Sequence, residues 1–254
     1  MIATDYLTND VATKRDGLPT LLPFYLIADV SGSMAKEIAA LNQALVDFRD
    51  ELNKNPILSD VVRFSVISFS DSTRVELPFC DPVETTMPTL VVGGGTRYAP
   101  AFRTLKATID ADFDANKGKD FKVFRPAAFF LTDGMPLDPE SEWQSAFADL
   151  VRYDSESKTG NKRYPLFVPF GFRDANVEIL KQLVHPLDRS KLYMAKHGAS
   201  AGSVLAELSK AMIMSVVSSG YSVPTGNPQH VLPTQAQVGP NVTAYDGGDL
   251  PDED

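Results

Sequence analysis

The chain has 254 residues, of which 43% are hydrophobic and 22% charged, with a formal net charge of −9. A chain this long buries a core large enough to need no disulfide staples, and its single cysteine, Cys80, permits no intrachain disulfide. Five acids after the last basic residue, Lys210, carry −5 of that charge (Asp246, Asp249, Asp252, Glu253 and Asp254), and nothing basic enough for nucleic acid or a membrane surface stands out.

The first 19 residues are polar and weakly patterned and read as an arm, either mobile or laid over the domain as a strand. They hold no apolar run of secretory length, and no stretch of about 20 apolar residues is evident further on, so the expectation is a soluble, cytoplasmic protein. The domain itself is expected over 20–217. Leu21 to Ala28 is a near-continuous apolar run, as in a strand covered on both faces. Ile38, Leu41, Leu45, Phe48 and Leu52 follow at steps of three and four, which marks one face of a helix closed before Pro56.

Val61 to Phe69 is rich in β-branched and aromatic residues, and Asp71-Ser72 turns it into a short strand from Arg74 to Leu77. So tight a connection requires antiparallel pairing. After the Gly93-Gly94-Gly95 loop, Pro100 suits the first residue of a helix running through Phe102, Leu105, Ile109 and Phe113. Ala127 to Leu131 is the next strand. Trp143, Phe147 and Leu150 mark a helix, and Tyr164 to Phe170 a strand made irregular by Pro169. Val177, Leu180 and Leu183 lie on a further helix, Lys191 to Met194 on a short strand, and Val204 to Val216 on a last amphipathic helix. Alternating strands and helices with one early hairpin predict a doubly wound, Rossmann-like α/β sheet, mostly parallel with one antiparallel strand, and helices on both faces. From 218 to 254 five prolines and little periodicity suggest a flexible acidic tail, with an ordered strap as the alternative.

In such a sheet, ligands collect at the carboxyl ends of the strands. Asp29, Ser31 and Ser33 directly follow the first strand, Thr96 follows the triple glycine, and Asp133 follows the Ala127–Leu131 strand. Taken alone, Asp29 and Ser33 would serve equally well as helix caps. Together, two carboxylates and three hydroxyls form a set of hard oxygen donors suited to Mg²⁺, Mn²⁺ or Ca²⁺, and no His or Cys among them favours zinc. The glycines lack the Lys of a phosphate-binding loop. A phosphatase or other hydrolase using Asp29 as nucleophile is the alternative function, but it would need a second Asp where Ser31 stands. His185, His197 and His230 lie far along the chain and are expected on the surface or in the tail; Cys80 and Trp143 read as packing residues.

Asp29-Val-Ser31-Gly-Ser33, Gly94-Gly95-Thr96 and Leu131-Thr-Asp133-Gly134 together resemble the metal-ion-dependent adhesion site of von Willebrand factor A domains, over roughly residues 20 to 217. The resemblance implies that Ser31 and Ser33 bind the metal through their hydroxyls. It implies that Asp29 and Asp133 hold it directly or through water, and that Thr96 joins them. A partner's Asp or Glu would take the open position, so the implied role is protein binding without catalysis. Pro23-Phe-Tyr-Leu-Ile, Ser-Gly-Ser-Met34, Val66-Ile-Ser-Phe69 and Phe-Leu-Thr-Asp-Gly134 are similar to the bacterial tellurium-resistance-associated TerY-like group. That likeness implies a stress-response setting with a phosphatase or kinase as partner. Ala28, and Met135-Pro-Leu-Asp138 where a more polar run is expected, depart from the group's pattern. The acidic tail offers the same ligand type, so self-binding through Asp252, Glu253 or Asp254 is a further expectation.

Overall fold

In the computed structural model, residues 18–249 are described. In chain order they form β1 (Thr20–Asp29), α1 (Ile38–Asn53), α2 (Pro56–Val61), β2 (Val62–Phe69), β3 (Thr73–Cys80), α3 (Tyr98–Ala115) and β4 (Lys122–Val123). Then come β5 (Ala127–Thr132), α4 (Glu140–Val151), β6 (Tyr153–Asp154), β7 (Thr159–Gly160), β8 (Leu166–Gly171), α5 (Val177–Lys181), β9 (Lys191–Ala195), α6 (Ala201–Ser222) and β10 (Val242–Asp246).

The central sheet has the order β10-β9-β8-β5-β1-β2-β3, with β4 attached to β1. β2, β1, β5, β8 and β9 run parallel, and β3 is antiparallel to β2 as the short hairpin demands. Alternation along β1 decides which face each residue feeds. Leu22, Phe24, Leu26 and Ala28 enter the core under α1, α2 and α6. Tyr25 and Ile27 enter the core under α3, α4 and α5. Both cores are aromatic; Phe24 stacks on Phe129 on one side and Phe69 on Phe130 on the other. Each fully buried Phe contributes several kcal/mol, since truncation to Ala costs about 3–5 kcal/mol in such cores.

Several expectations are corrected. Pro56 does not merely end a helix; it opens α2, where its missing N–H belongs to an unbonded first turn. Pro169 does not distort β8. Phe167 donates to His185 O on the β9 side, and alternation points position 169 the same way. β9 pairs with β8 only from Phe170 onward, so no ladder bond is lost there.

The domain does not stop at 217. α6 continues to Ser222, and 223–241 is pinned irregularly rather than free. Ser219 Oγ accepts from Val231 N at 2.9 Å, and Tyr193 OH donates to Pro233 O at 2.7 Å. His230 is wedged edge-on between Phe24 and Phe124 instead of dangling in solvent. β10 then pairs antiparallel with β9, adding a second antiparallel edge, and buries Val242 completely. Prolines cannot extend a ladder, but they lower the entropy lost on ordering, so a proline-rich segment can be a strap. Asp252, Glu253 and Asp254 and the greater part of the expected N-terminal arm lie outside the described residues.

One segment does have the length and apolar character of a membrane span, Ala201–Thr225 with mean hydropathy 1.3. Here Val204, Leu205, Leu208, Met212 and Val216 of α6 are buried in the core against the sheet and α1. That packing accounts for its apolarity.

Candidate metal centre

β1 delivers Asp29 to the carboxyl edge of the sheet with its side chain fully buried. Both of its oxygens accept hydrogen bonds, Oδ1 from Ser31 N at 2.8 Å and Oδ2 from Thr132 Oγ1 at 2.7 Å. The loop then turns through a short 3₁₀ segment, Gly32–Lys36, into α1. Ser31 Oγ lies 3.0 Å from Ser33 Oγ, and Ser33 Oγ donates to Asp133 Oδ1 at 2.7 Å. Side chains from the ends of β1 and β5 thus form one connected chain.

The triple glycine brings in the third loop. Gly93 N donates to Val30 O at 2.6 Å, and Gly32 N donates to Gly94 O at 2.7 Å. A Cβ on Gly94 would stand 1.7 Å from Asp71 Oδ2, and one on Gly93 2.3 Å from Ser70 Oγ, so this loop lies directly on the end of β2. Close approach, not phosphate binding, is what these glycines serve. Thr96 is buried beside Asp133, its Oγ1 3.5 Å from where a Cβ on Gly134 would be. The hydroxyl makes no hydrogen bond to Asp29, Ser31, Ser33 or Asp133. The structure therefore gathers all five predicted residues at one edge, four of them linked by hydrogen bonds.

The electrostatics are unbalanced. Burial pushes the Asp29 carboxyl up to about 6, against hydrogen bonds from Ser31 and Thr132 that pull it down. Burial also raises Asp133, opposed by the Ser33 hydroxyl and the Arg173 charge. Asp133 Oδ2 is buried and has no hydrogen-bond partner. A buried carboxylate oxygen without a hydrogen bond is costly, and a cation is the group that would satisfy it. No three His, Cys, Asp or Glu side chains converge on a metal-sized site among the described residues. A cation held at this edge would rely on hydroxyls, as the donor set of Asp29, Ser31, Ser33, Thr96 and Asp133 provides.

Four contributors escape the sequence reading. Thr132 orients Asp29, and the hydroxyl in Leu131-Thr-Asp-Gly is its one visible signal. Glu37 sits buried at the start of α1, and Arg173 reaches it from the loop after β8 with Nη1 2.7 Å from Glu37 Oε2. Nothing in the sequence links positions 136 apart. Asp138, in the run that departs from the expected pattern, accepts from Ala99 N at 3.1 Å and from Tyr98 N, capping α3 from another loop.

For nucleophilic chemistry the surroundings are poor. Asp29 has both oxygens engaged and Ser31 two positions on, while His185 lies at the far end of the sheet, bridged to Phe167.

Residues 24–135, a span that contains all five oxygen donors, match the family model of the von Willebrand factor type A domain. Over that span the chain is similar to the von Willebrand factor type A domain. Domains of this type commonly mediate protein–protein interaction and are generally not enzymes. No curated protein matches the sequence. Solved structures share the fold at low identity. A von Willebrand factor type A protein from Catenulispora acidiphila is 17% identical, with a TM-score of 0.53 over 78% of this chain and 43% of that one. Proximal thread matrix protein 1 of the mussel byssus, described with a zinc-occupied MIDAS motif, is 14% identical, with a TM-score of 0.54 over 79% and 48%. The pilus adhesin SpaC of Lactobacillus rhamnosus GG is 14% identical, with a TM-score of 0.53 over 78% and 30%. This chain spans less than half the length of each of these structures.

Proposed function

We propose that this protein is a divalent-metal-dependent binding module. Asp29, Ser31, Ser33, Thr96 and Asp133 would hold Mg²⁺, with Mn²⁺ or Ca²⁺ as substitutes, and the ion would bridge to an Asp or Glu carboxylate of a partner protein. The observation that carries this reading is the buried Asp133 Oδ2, left without a hydrogen-bond partner in a cluster of hydroxyls. The donors are all hard oxygens, which favours the alkaline-earth class. A related fold that takes zinc at its MIDAS motif supports a divalent ion at this edge.

A protein, rather than a small acid, is favoured as partner by what surrounds the donors. Val91, Met135 and Leu137 are exposed on the loops of the same edge, three of the five large hydrophobics left exposed among the described residues. Exposed apolar side chains beside the donors offer area that a protein surface can bury and a small acid cannot. The sequence resemblance adds a setting to the proposal: the cytoplasm of a bacterium, in a stress-response system of the tellurium-resistance type, with a phosphatase or kinase as partner.

Self-binding through the acidic end is sharpened by β10. Asp246 pairs with Lys191 at the amino end of β9, and Gly247 N donates to Ser190 O, so the last described residues lie at the sheet edge opposite Asp29. Asp252, Glu253 and Asp254 lie outside the described residues, and their capture by the metal site is part of this proposal.

The test is calorimetric titration of Mg²⁺ and Mn²⁺ into wild type and Asp29→Ala, with capture of proteins from a cell extract in Mg²⁺ or in chelator. Metal affinity should fall by at least about 100-fold in the variant, and capture should vanish with chelator. Wild type that binds neither ion, or capture indifferent to chelator, would sink the proposal.

A further inference from the structure

Arg173 occupies an unusual place. Phe172 N donates to Thr132 O at 3.2 Å and Asp174 N donates to Asp133 O at 3.0 Å, so the residues on either side are bound to the metal-site strand end. Arg173 itself is held at φ 53°, a left-handed conformation that large side chains seldom adopt. The result is a guanidinium turned back over the site. Its Nη1 donates to Ser33 O at 2.9 Å and to Glu37 Oε2 at 2.7 Å, and stands 3.7 Å from Asp133 Oδ2. At that separation the Asp133 contact is a charge pairing, not a hydrogen bond. Oδ2 is the very oxygen left without a hydrogen-bond partner.

A buried carboxylate beside a second buried acid needs a positive charge in the absence of metal, and Arg173 is positioned to supply it. A divalent ion drawing on the same carboxylate would sit close to that fixed positive charge. Arginine does not deprotonate, so it cannot relieve the repulsion by losing a proton; it has to move. Glu37 gives it somewhere to go, because its tighter contact is to Glu37 and not to Asp133. Arg173 lies beyond the matched span of residues 24–135, so this device is separate from the five-donor pattern.

We propose that Arg173 is the resident counter-cation of this site: it neutralises Asp133 and Glu37 in the metal-free protein, competes with a divalent ion for Asp133, and thereby sets the metal affinity. This rests on the metal-binding reading above.

The experiment compares wild type, Arg173→Gln, Arg173→Met and Arg173→Lys by Mn²⁺ titration calorimetry and by melting temperature in chelator. Removing the charge should tighten Mn²⁺ binding by about 10-fold or more while lowering the metal-free melting temperature. Arg173→Lys, which keeps the charge, should stay close to wild type in both. Mn²⁺ affinity that is unchanged or weaker in the uncharged variants overturns the proposal, as does an unchanged metal-free melting temperature. If none of the four proteins binds Mn²⁺, the metal reading itself falls and the competition with it. Wild-type binding without a difference between variants removes only the role given to Arg173. The Met variant guards against a folding failure peculiar to Gln, since it keeps an apolar stem like that of the arginine without adding a polar group.

Discussion

At the carboxyl ends of its strands the sheet presents Asp29, Asp133, Ser31, Ser33 and Thr96; at the amino ends it presents Arg125, Ser190, His185 and His230. Both sets are buried or half-buried polar groups. At the amino end Arg125, Ser190 and His230 each reach a backbone carbonyl. Arg125 Nη1 donates to Tyr164 O at 2.9 Å with its guanidinium stacked on the Tyr164 ring, and Ser190 Oγ donates to Phe167 O. His230 Nε2 lies 2.7 Å from Arg125 O. At the carboxyl end the hydroxyls bond to one another and to carboxylates, and one carboxylate oxygen is left over. Burial alone does not mark a site. An unfinished set of hydrogen bonds, all of one chemical type, does.

The comparison can be broken in three places. The largest effect belongs to β10, which pairs with β9 along its whole length and ties the segment after α6 to the sheet. Val242→Asp buries an unpaired charge in the core and should cost at least about 4 kcal/mol in urea unfolding. A near-neutral result would mean that 223–246 is not part of the folded unit.

The second effect is a pH dependence at the closed end. Burial holds the His185 imidazole down to about 4, helped by the nearby Arg125 and Arg189 charges. The unfolded chain takes up this proton near pH 6.5 and the folded protein only near 4. The neutral-histidine contribution is therefore complete above 6.5 and is lost as pH falls towards 4. Partial exposure discounts it to about 2 kcal/mol. Asp29 and Asp112, each raised to about 6 by burial, act in the opposite sense over the same range. The measurement is accordingly the difference in unfolding free energy between wild type and His185→Gln at pH 7 and pH 4.5. Parallel pH profiles would refute the assignment to His185.

The smallest effects separate the two ends most directly. Ser190→Ala leaves Phe167 O without its side-chain partner and should cost about 1–2 kcal/mol. Asp133→Asn keeps an acceptor for Ser33 while removing a buried charge, and in metal-free buffer it should change stability by no more than about 1 kcal/mol. The same substitution should weaken Mn²⁺ binding by at least about 10-fold. If Asp133→Asn were as destabilising as Ser190→Ala and left Mn²⁺ binding intact, Asp133 would be a structural acid like those of the closed end.

The sequence alone determined the alternation of β1, β2, β3, β5, β8 and β9 with α1, α3, α4, α5 and α6, because burial on both faces writes continuous apolar runs for strands and a 3.6-residue period for helices; the short α2, β4, β6 and β7 carry no such pattern. It also pointed to Asp29, Ser31, Ser33, Thr96 and Asp133 as neighbours at one sheet edge, because polar residues directly after a strand or a glycine loop are a local pattern. Only the tertiary structure decided the rest. Strand β10 was missed although Val242-Thr-Ala-Tyr245 has strand-like composition, since a short edge strand after irregular chain gains its order from β9 and not from its own period. His230 reads as tail until Phe24 and Phe124 close on it. Glu37 and Arg173 carry no motif; their meeting depends on an arginine fixed in a left-handed conformation by backbone bonds to Thr132 and Asp133. Short-range patterns place donors at an edge, but which charge stands over them is set by a loop from elsewhere in the chain, and no local spacing records that.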